Sequence, residues 1–231
     1  MLMVKNLSPG FPPELEVLVL DTIKGLQKKH IPFQLNSKFI EYCSQKLKTS
    51  ELDIYKVIYS LLHHKIIVPG STLTQNEILI NSNRAIIYET IQNNPGIHIR
   101  ELYTKIGLSS GVIRSHLLVL ENFAFIRRKK YETPKFVLLF PKDYHETYDD
   151  YFVILKNDND QRIVQLLLKN PLSLTELSSQ LNLHHSTVQY HLEKLESLNI
   201  ITRIIDNNIT KFDFNQERIE SFLTFLNSIY Q

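Results

Sequence analysis

The sequence repeats part of itself at an offset of 75 residues. At this offset Glu101-Leu102 aligns with Glu176-Leu177, and His116-Leu117 aligns with His191-Leu192. The further matching pairs are Leu108 with Leu183, Leu120-Glu121 with Leu195-Glu196, Ile126 with Ile201, and Arg128 with Arg203. Upstream, Asn94-Pro95 matches Asn170-Pro171 with a slightly longer offset. A repeat at a nearly fixed spacing predicts that one supersecondary unit is used twice.

Each copy has the hydrophobic periodicity of three helices. In the first copy we expect helices over residues 84–92 and 99–106, ended by Pro95 and Gly107, and a third helix after Ser109-Ser110. The second copy repeats this pattern, with its second helix over residues 174–181. The apolar positions assigned to the third helices are Val112, Ile113, Leu117 and Leu120 in the first copy, and Val188, Leu192 and Leu195 in the second.

A pair of strands follows each third helix. Residues 125–131 and 135–140 are joined by Glu132-Thr133-Pro134, and residues 200–205 and 209–214 by Asp206-Asn207-Asn208. Three helices and a hairpin make a helix-turn-helix with a wing. The predicted fold class is therefore mainly α with small β-hairpin wings, as tandem winged helix-turn-helix domains.

The residues of the first copy also resemble a known family. The run from Asn94 to Leu102 and the stretch from Leu108 to Ile126 are similar to tandem winged-helix transcriptional regulators common in archaea. The similarity covers residues 82–214. It implies that the third helix enters the major groove of DNA and that the wing contacts the flanking backbone.

Charge is distributed unevenly along the chain. The net charge of +2 divides into +2 for residues 1–80, +6 for residues 81–142 and −6 for residues 143–231. We expect a polyanion to be attracted to the central segment and repelled by the C-terminal one.

Several classes of protein are not favoured by the sequence. The lone Cys43 cannot form an intramolecular disulfide. Residues 1–10 lack the long apolar run typical of a signal peptide, and no run of about 18 apolar residues occurs, so export and membrane insertion are not expected. Adjacent histidines at 63–64 and 184–185 point apart on a helix and lack a completing ligand. We expect a cytoplasmic protein that is not an enzyme, with no metal, no cofactor and no membrane partner.

Candidate DNA contacts cluster in the central copy. Arg114 on the third helix either reads a guanine edge or is a solvated or phosphate-contacting residue. Four consecutive wing cations either contact phosphates or only aid solubility, and His98 and Arg100 can add a backbone clamp. The candidates are His98, Arg100, Ser109, Ser110, Arg114, Ser115, Arg127, Arg128, Lys129, Lys130 and Lys135.

The C-terminal copy offers a weaker set. Gln189 stands where the central copy has Arg114 and can pair with adenine. Because this segment is acidic, a packing or protein-contact role is an equal alternative. The candidates are His184, His185, Gln189, Tyr190, Arg203 and Lys211. His116 and His191 are interpreted as half-buried structural residues.

The predicted domain order places a helical domain at residues 1–80, whose apolar positions also fit a degenerate third copy lacking a full wing. The two copies occupy residues 81–142 and 157–214, separated by an acidic aromatic connector at 143–156. A final amphipathic helix lies within residues 215–231. Its apolar face packs either on the chain's own N-terminal helix or across a two-fold axis, and a homodimer through the terminal helices is expected.

Two functions remain open at this point. The first is a transcriptional regulator that binds double-stranded DNA with the third helix and basic wing of the central copy. The second is a protein-assembly module, such as a subunit of the transcription machinery or of an endosomal sorting complex, that does not read DNA. A small-molecule effector and the DNA sequence recognised are not specified by the sequence.

Overall fold

The structure, a computed structural model, describes residues 13–132 and 135–229. It divides into two compact units, one formed by residues up to 92 together with 102–127, and the other by 93–101 together with residues from 128 onward. Helices dominate both units, and the two small sheets of the described residues lie almost wholly in the second unit. The mainly α fold with small hairpins is confirmed, whereas the predicted domain boundaries stay a prediction.

The N-terminal part of the first unit is a bundle of three helices. They are α1 (Pro13–Gln27), α2 (Ser37–Leu47) and α3 (Glu51–His63). Side chains of Asn36 and Ser50 accept hydrogen bonds from backbone N–H groups of the first turns of α2 and α3, which fixes where these helices begin. An isolated bridge between Ile67 and Thr74 follows, at the place where a wing would lie in a third copy.

The first unit also contains the helices of the central copy. These are α4 (Ser82–Asn93), the greater part of α5 (Ile99–Ile106), and α6 (Ser110–Asn122). α4 begins two residues before the predicted start. The apolar assignment of Val112 was wrong, because its side chain is 39% exposed while that of Ile113 is buried. In α4, Ile86 is 50% exposed and Ile87 is buried.

The sheet of the central copy consists of β1 (Ile97–His98), β2 (Ile126–Glu132) and β3 (Lys135–Pro141), with β3 in the middle. Gly96 precedes β1 at φ 72°, a conformation that favours glycine. A Cβ atom at this position would lie 2.9 Å from Cβ of Phe152. The predicted turn residues Thr133 and Pro134 lie outside the described residues.

The C-terminal copy lies wholly in the second unit. Its elements are α8 (Asp158–Leu167), β4 (Leu172–Ser173), α9 (Leu174–Leu181), α10 (His185–Ser197), β5 (Ile201–Asp206) and β6 (Ile209–Phe214), with β6 central in the sheet. Asn207 and Asn208 both have positive φ, as a two-residue hairpin turn requires. The second wing therefore forms as predicted, with its first strand shifted by one residue.

The acidic aromatic connector packs against the C-terminal helix. It forms α7 (Asp149–Leu155), whose Tyr151 and Phe152 contact the final helix α11 (Ile219–Ile229). The ring of Tyr151 lies 5.0 Å from that of Phe222, and Phe152 lies 4.9 Å from Phe225. The buried face of α11 is thus covered by the connector, an arrangement that neither sequence alternative named. Residues 230 and 231 of the segment predicted to hold this helix lie outside the described residues.

Candidate nucleic-acid interface

Burial fixes which face of α6 is presented to solvent. Ile113, Leu117 and Leu120 are fully buried, so Arg114 and Ser115 between them are exposed. The hydroxyl of Ser109 accepts a hydrogen bond from the N–H of Val112 at 3.4 Å and so caps the helix. Ser110 is exposed in the first turn. The start of α6 consequently presents one guanidinium among small polar side chains, a surface that suits a base edge or a phosphate.

The basic strand β2 presents its cations unequally. Lys130 is exposed, whereas Arg127, Arg128 and Lys129 are half-buried. The Nζ of Lys129 lies 2.8 Å from Oδ1 of Asp150, 3.9 Å from Oδ2 of Asp149, and 5.2 Å from the ring centre of Tyr131. The sequence missed this ion pair because its acidic partners are about twenty residues away. The side chain of Lys135 lies outside the described part of the chain.

His98 and Arg100 lie together where β1 passes into α5. The Nδ1 of His98 accepts a hydrogen bond from the backbone N–H of Arg100 at 3.1 Å. Burial lowers the pKa of His98, and the positive charges of Arg100 and Lys156 lower it further against the opposing effect of Glu101. The ring is therefore held toward its neutral form in an electropositive place.

The third helix of the C-terminal copy, α10, presents a different surface. His184 caps this helix by accepting a hydrogen bond from the N–H of Ser186 at 3.3 Å. Tyr190 is 54% exposed, and His185 is exposed in the first turn. Gln189 donates to Oε1 of Glu193 at 2.7 Å, so its amide already has a partner within the helix.

Both cations of the second wing pair with acids of the same copy. The Nε of Arg203 lies 2.7 Å from Oε1 of Glu196, and Nζ of Lys211 lies 2.7 Å from Oδ2 of Asp206. A hydrogen bond to the partner carboxylate raises the pKa of each cation. The charges persist, but each is compensated at short range.

A buried polar cluster fixes α10 to α8, and sequence reasoning did not find it. Asp160 is fully buried, its Oδ1 lies 2.7 Å from Nδ1 of His191, and its other carboxylate oxygen pairs with Lys194. His191 is 5% exposed, as its structural interpretation predicted. The repeat could have indicated this cluster, because Asp160 and Lys194 occupy the positions that Arg84 and Val119 hold in the central copy. An acid and a base introduced together on two helices are typical of an ion pair.

Among the described residues, no group of three histidine, cysteine or acidic side chains is placed to hold a metal ion. Within the same ranges, no helix has the length and apolar character needed to cross a membrane.

Family models match both copies at these helices. Residues 81–122 match a family model described as winged helix-turn-helix DNA-binding. Residues 161–203 match a model described as bacterial regulatory protein, arsR family. The chain therefore carries two winged helix-turn-helix domains in tandem. Each match includes the third helix of one copy, α6 or α10. Both copies of this tandem winged helix-turn-helix chain therefore carry the third helix of the helix-turn-helix.

A curated relative extends the likeness beyond the two copies. An uncharacterized HTH-type transcriptional regulator of Methanocaldococcus jannaschii is 30% identical over 215 residues, which is 90% of this chain and 54% of the relative. The chain thus spans about half the length of that relative.

Solved structures resemble the tandem winged helix-turn-helix chain only in part or loosely. Reduced HlyU from Vibrio cholerae is 23% identical with a TM-score of 0.32, covering 36% of this chain and 88% of HlyU. The endosomal complex ESCRT-II is 15% identical with a TM-score of 0.25, covering 88% of this chain and 89% of the matched chain. At these TM-scores neither likeness bears on function.

Proposed function

We propose that this chain is a transcriptional regulator that binds double-stranded DNA with α6 and the basic wing of its central copy. The observation that carries the proposal is the exposed, polar start of α6 with Arg114 at its centre, in the segment whose net charge is +6. The match of residues 81–122 to winged helix-turn-helix DNA-binding supports it. The description of the archaeal relative as an HTH-type transcriptional regulator favours a regulator over a protein-assembly module.

The contacts divide into two kinds within this proposal. Arg114 faces a base edge or an adjacent phosphate, with Ser110 and Ser115 beside it. Lys130, Arg127 and Arg128 supply phosphate contacts from the wing, which determine affinity and its dependence on salt. Asp150 compensates the charge of Lys129, which reduces the contribution of this side chain. Lys135, His98 and Arg100 complete the proposed central interface.

The C-terminal copy serves mainly to support the central one. Its wing cations Arg203 and Lys211 are compensated, and Gln189 is held by Glu193. His184, His185 and Tyr190 stay predicted DNA contacts, because they are the exposed polar side chains at the start of α10 and along it. A duplex is drawn to this copy less strongly, since its segment carries a net charge of −6.

The protein acts as a cytoplasmic homodimer without catalytic chemistry of its own. Apolar side chains at the terminal helices support the dimer, since Val17 and Leu18 on α1 and Leu223 on α11 are 46%, 48% and 48% exposed. Two-fold symmetry would present two copies of α6 to a palindromic site. Light scattering coupled to gel filtration checks this, and a monomeric mass at micromolar concentration contradicts it.

Fluorescence anisotropy on random and genomic duplexes, across a salt series, tests DNA binding. The variant Arg128→Gln/Lys130→Gln removes two wing charges. The matched control Lys28→Gln/Lys29→Gln removes two exposed charges just after α1. We expect the wing variant to bind less tightly and to lower the slope of log affinity against log salt by about 2, with the control unchanged. Absence of binding by the folded parent at low salt contradicts the proposal.

A further inference from the structure

A cleft in the second unit borders the wing of the central copy. It has a volume of about 580 Å³, and the side chains that concern its chemistry are His98, Arg100, Lys130, Tyr131 and Phe136. Three of the described residues that line it are basic side chains and none is acidic. A volume of this size falls within the range of about 300 to 1,000 Å³ typical of small-molecule sites.

The floor of the cleft is aromatic and held in place. The rings of Tyr131 and Phe136 are stacked, with centroids 4.6 Å apart and planes inclined by 21°. Tyr131 is buried, and its hydroxyl donates to Oδ1 of Asp150 at 3.0 Å. Phe136 is half-buried, and its ring lies 6.4 Å from that of His98. A half-buried ring that lines the cleft and is stacked on a neighbour can provide a stacking surface for another flat group.

The walls of the cleft donate hydrogen bonds and carry positive charge. The Nδ1 of His98 is occupied as an acceptor of the Arg100 backbone N–H, so the neutral ring carries its own N–H on Nε2. Arg100 and Lys130 are both exposed at the edge of the cleft. Burial is the main cause that lowers the pKa of His98, and the positive charges of Arg100 and Lys156 lower it further; a bound anion would offset these charges.

We propose that this cleft binds a small, flat organic anion, an aromatic carboxylate, with its ring against Phe136 and its carboxylate toward Arg100, Lys130 and His98. A DNA phosphate uses the same cations but has no use for a concave aromatic floor. The ring stack and the volume therefore favour a small molecule over the nucleic-acid backbone as the occupant.

A regulatory consequence follows, and this part rests on the proposed function. His98, Arg100 and Lys130 are also the predicted phosphate contacts. An aromatic carboxylate in the cleft competes with the duplex for these three groups, so its binding weakens DNA binding. The ligand would then act as an inducer that releases the regulator from its site.

Binding is tested by calorimetry on the full chain with 2-naphthoate, its neutral amide 2-naphthamide, and acetate. We expect 2-naphthoate to bind with a Kd below about 1 mM, and the amide and acetate to bind at least about tenfold more weakly.

Variants of the cleft test which side chains bind the ligand. Arg100→Gln/Lys130→Gln should weaken the binding of 2-naphthoate by about tenfold or more. Phe136→Leu keeps apolar volume but removes the ring, and should also weaken this binding. The control Lys142→Gln, at an exposed cation outside the cleft, changes nothing. Equal binding of acid and amide, no binding of the acid at about 5 mM, or no response to the cleft variants overturns the proposal.

A second arm separates the site from the proposed function. Phe136→Leu keeps all three basic groups, so we expect it to bind duplex like the parent but to resist displacement by 2-naphthoate. If 2-naphthoate binds and no duplex does, the cleft stands and the proposed DNA binding fails. If saturating 2-naphthoate leaves the duplex affinity of the parent unchanged, the competition is refuted.

Discussion

Asp160 and Lys194 form an ion pair between the first and third helices of the C-terminal copy, with the carboxylate fully buried and the lysine side chain 10% exposed. His191 shares the same carboxylate, and its Nε2 lies 3.3 Å from Nδ2 of Asn159. Because the partners lie out of water, loss of one leaves a buried charge without compensation.

We predict that Asp160→Asn lowers the free energy of unfolding by about 3 kcal/mol, measured by urea denaturation. Asp158→Asn changes an exposed carboxylate in the first turn of the same helix and should cost less than about 1 kcal/mol. Adding Lys194→Met to Asp160→Asn should recover part of the loss, since it removes the uncompensated ammonium. Equal effects of the two single substitutions would contradict a stabilising role for the cluster.

Gly96 makes a second prediction about stability. Gly96→Ala places a side chain at positive φ and brings its Cβ within 2.9 Å of Phe152 and 3.2 Å of Phe140. We expect a loss of more than about 1 kcal/mol in the free energy of unfolding. Gly25→Ala in α1 meets no atom within 4 Å and should instead stabilise the protein by about 0.5 to 1 kcal/mol. The same sign of change at both positions would argue against this account.

The connector makes a prediction about DNA affinity, which depends on the proposed function. Asp150→Asn retains an acceptor for Tyr131 but removes the nearer of the two carboxylates beside Lys129, which is also a partner of Arg218. Duplex affinity should rise at low salt, and the salt slope should steepen by up to about 1 as Lys129 becomes available. Asp143→Asn removes an exposed charge of the same connector without a bond to Lys129. Identical behaviour of the two variants in anisotropy would show a general charge effect instead.

Cys43 provides a test of the N-terminal bundle. The thiol is fully buried, and burial raises its pKa to about 11 from 9.0, against the weaker effect of Lys46. At pH 8 this lowers the thiolate fraction about a hundredfold. We expect Cys43 to react with a disulfide reagent at least that much more slowly in the folded chain than in urea. Rapid labelling of the folded protein would mean that α1 to α3 open readily.

Much of the fold could be predicted because the same hydrophobic pattern occurs in both copies of the repeat, so each copy supports the helices and strands assigned to the other. The bounds of α5 and α9 agree with the sequence, since Gly107 and Asn182 end them in the left-handed conformation. α4 was placed too late, because Asn81 accepts a hydrogen bond from the N–H of Arg84 and the helix starts before its first apolar residue. Val112 was misjudged because a first-turn position near the apolar face can still lie outside the core.

The candidate site was predicted less completely, for a physical reason. Sequence spacing gives the face of a helix or strand, but the partner of a long charged side chain depends on which distant acid the fold brings near. Lys129 with Asp150 and Arg203 with Glu196 are such cases. The sequence identified both basic side chains as candidate contacts, but it did not identify the acidic side chains that pair with them. The contacts proposed for Arg114, Lys130 and the others stay predictions.

The repeated halves carry opposite charges at one equivalent position of their first helices. Arg84 donates from Nε to the carbonyl oxygen of Ile78 at 2.6 Å, whereas Asp160 is buried against His191 and Lys194. During folding, tandem copies of similar sequence risk exchanging helices. An exchanged α4 would bring Arg84 toward Lys194, and an exchanged α8 would leave Asp160 facing Val119. We expect each misassembled form to leave one of these charges without its native partner, which would favour the correct pairing of helices.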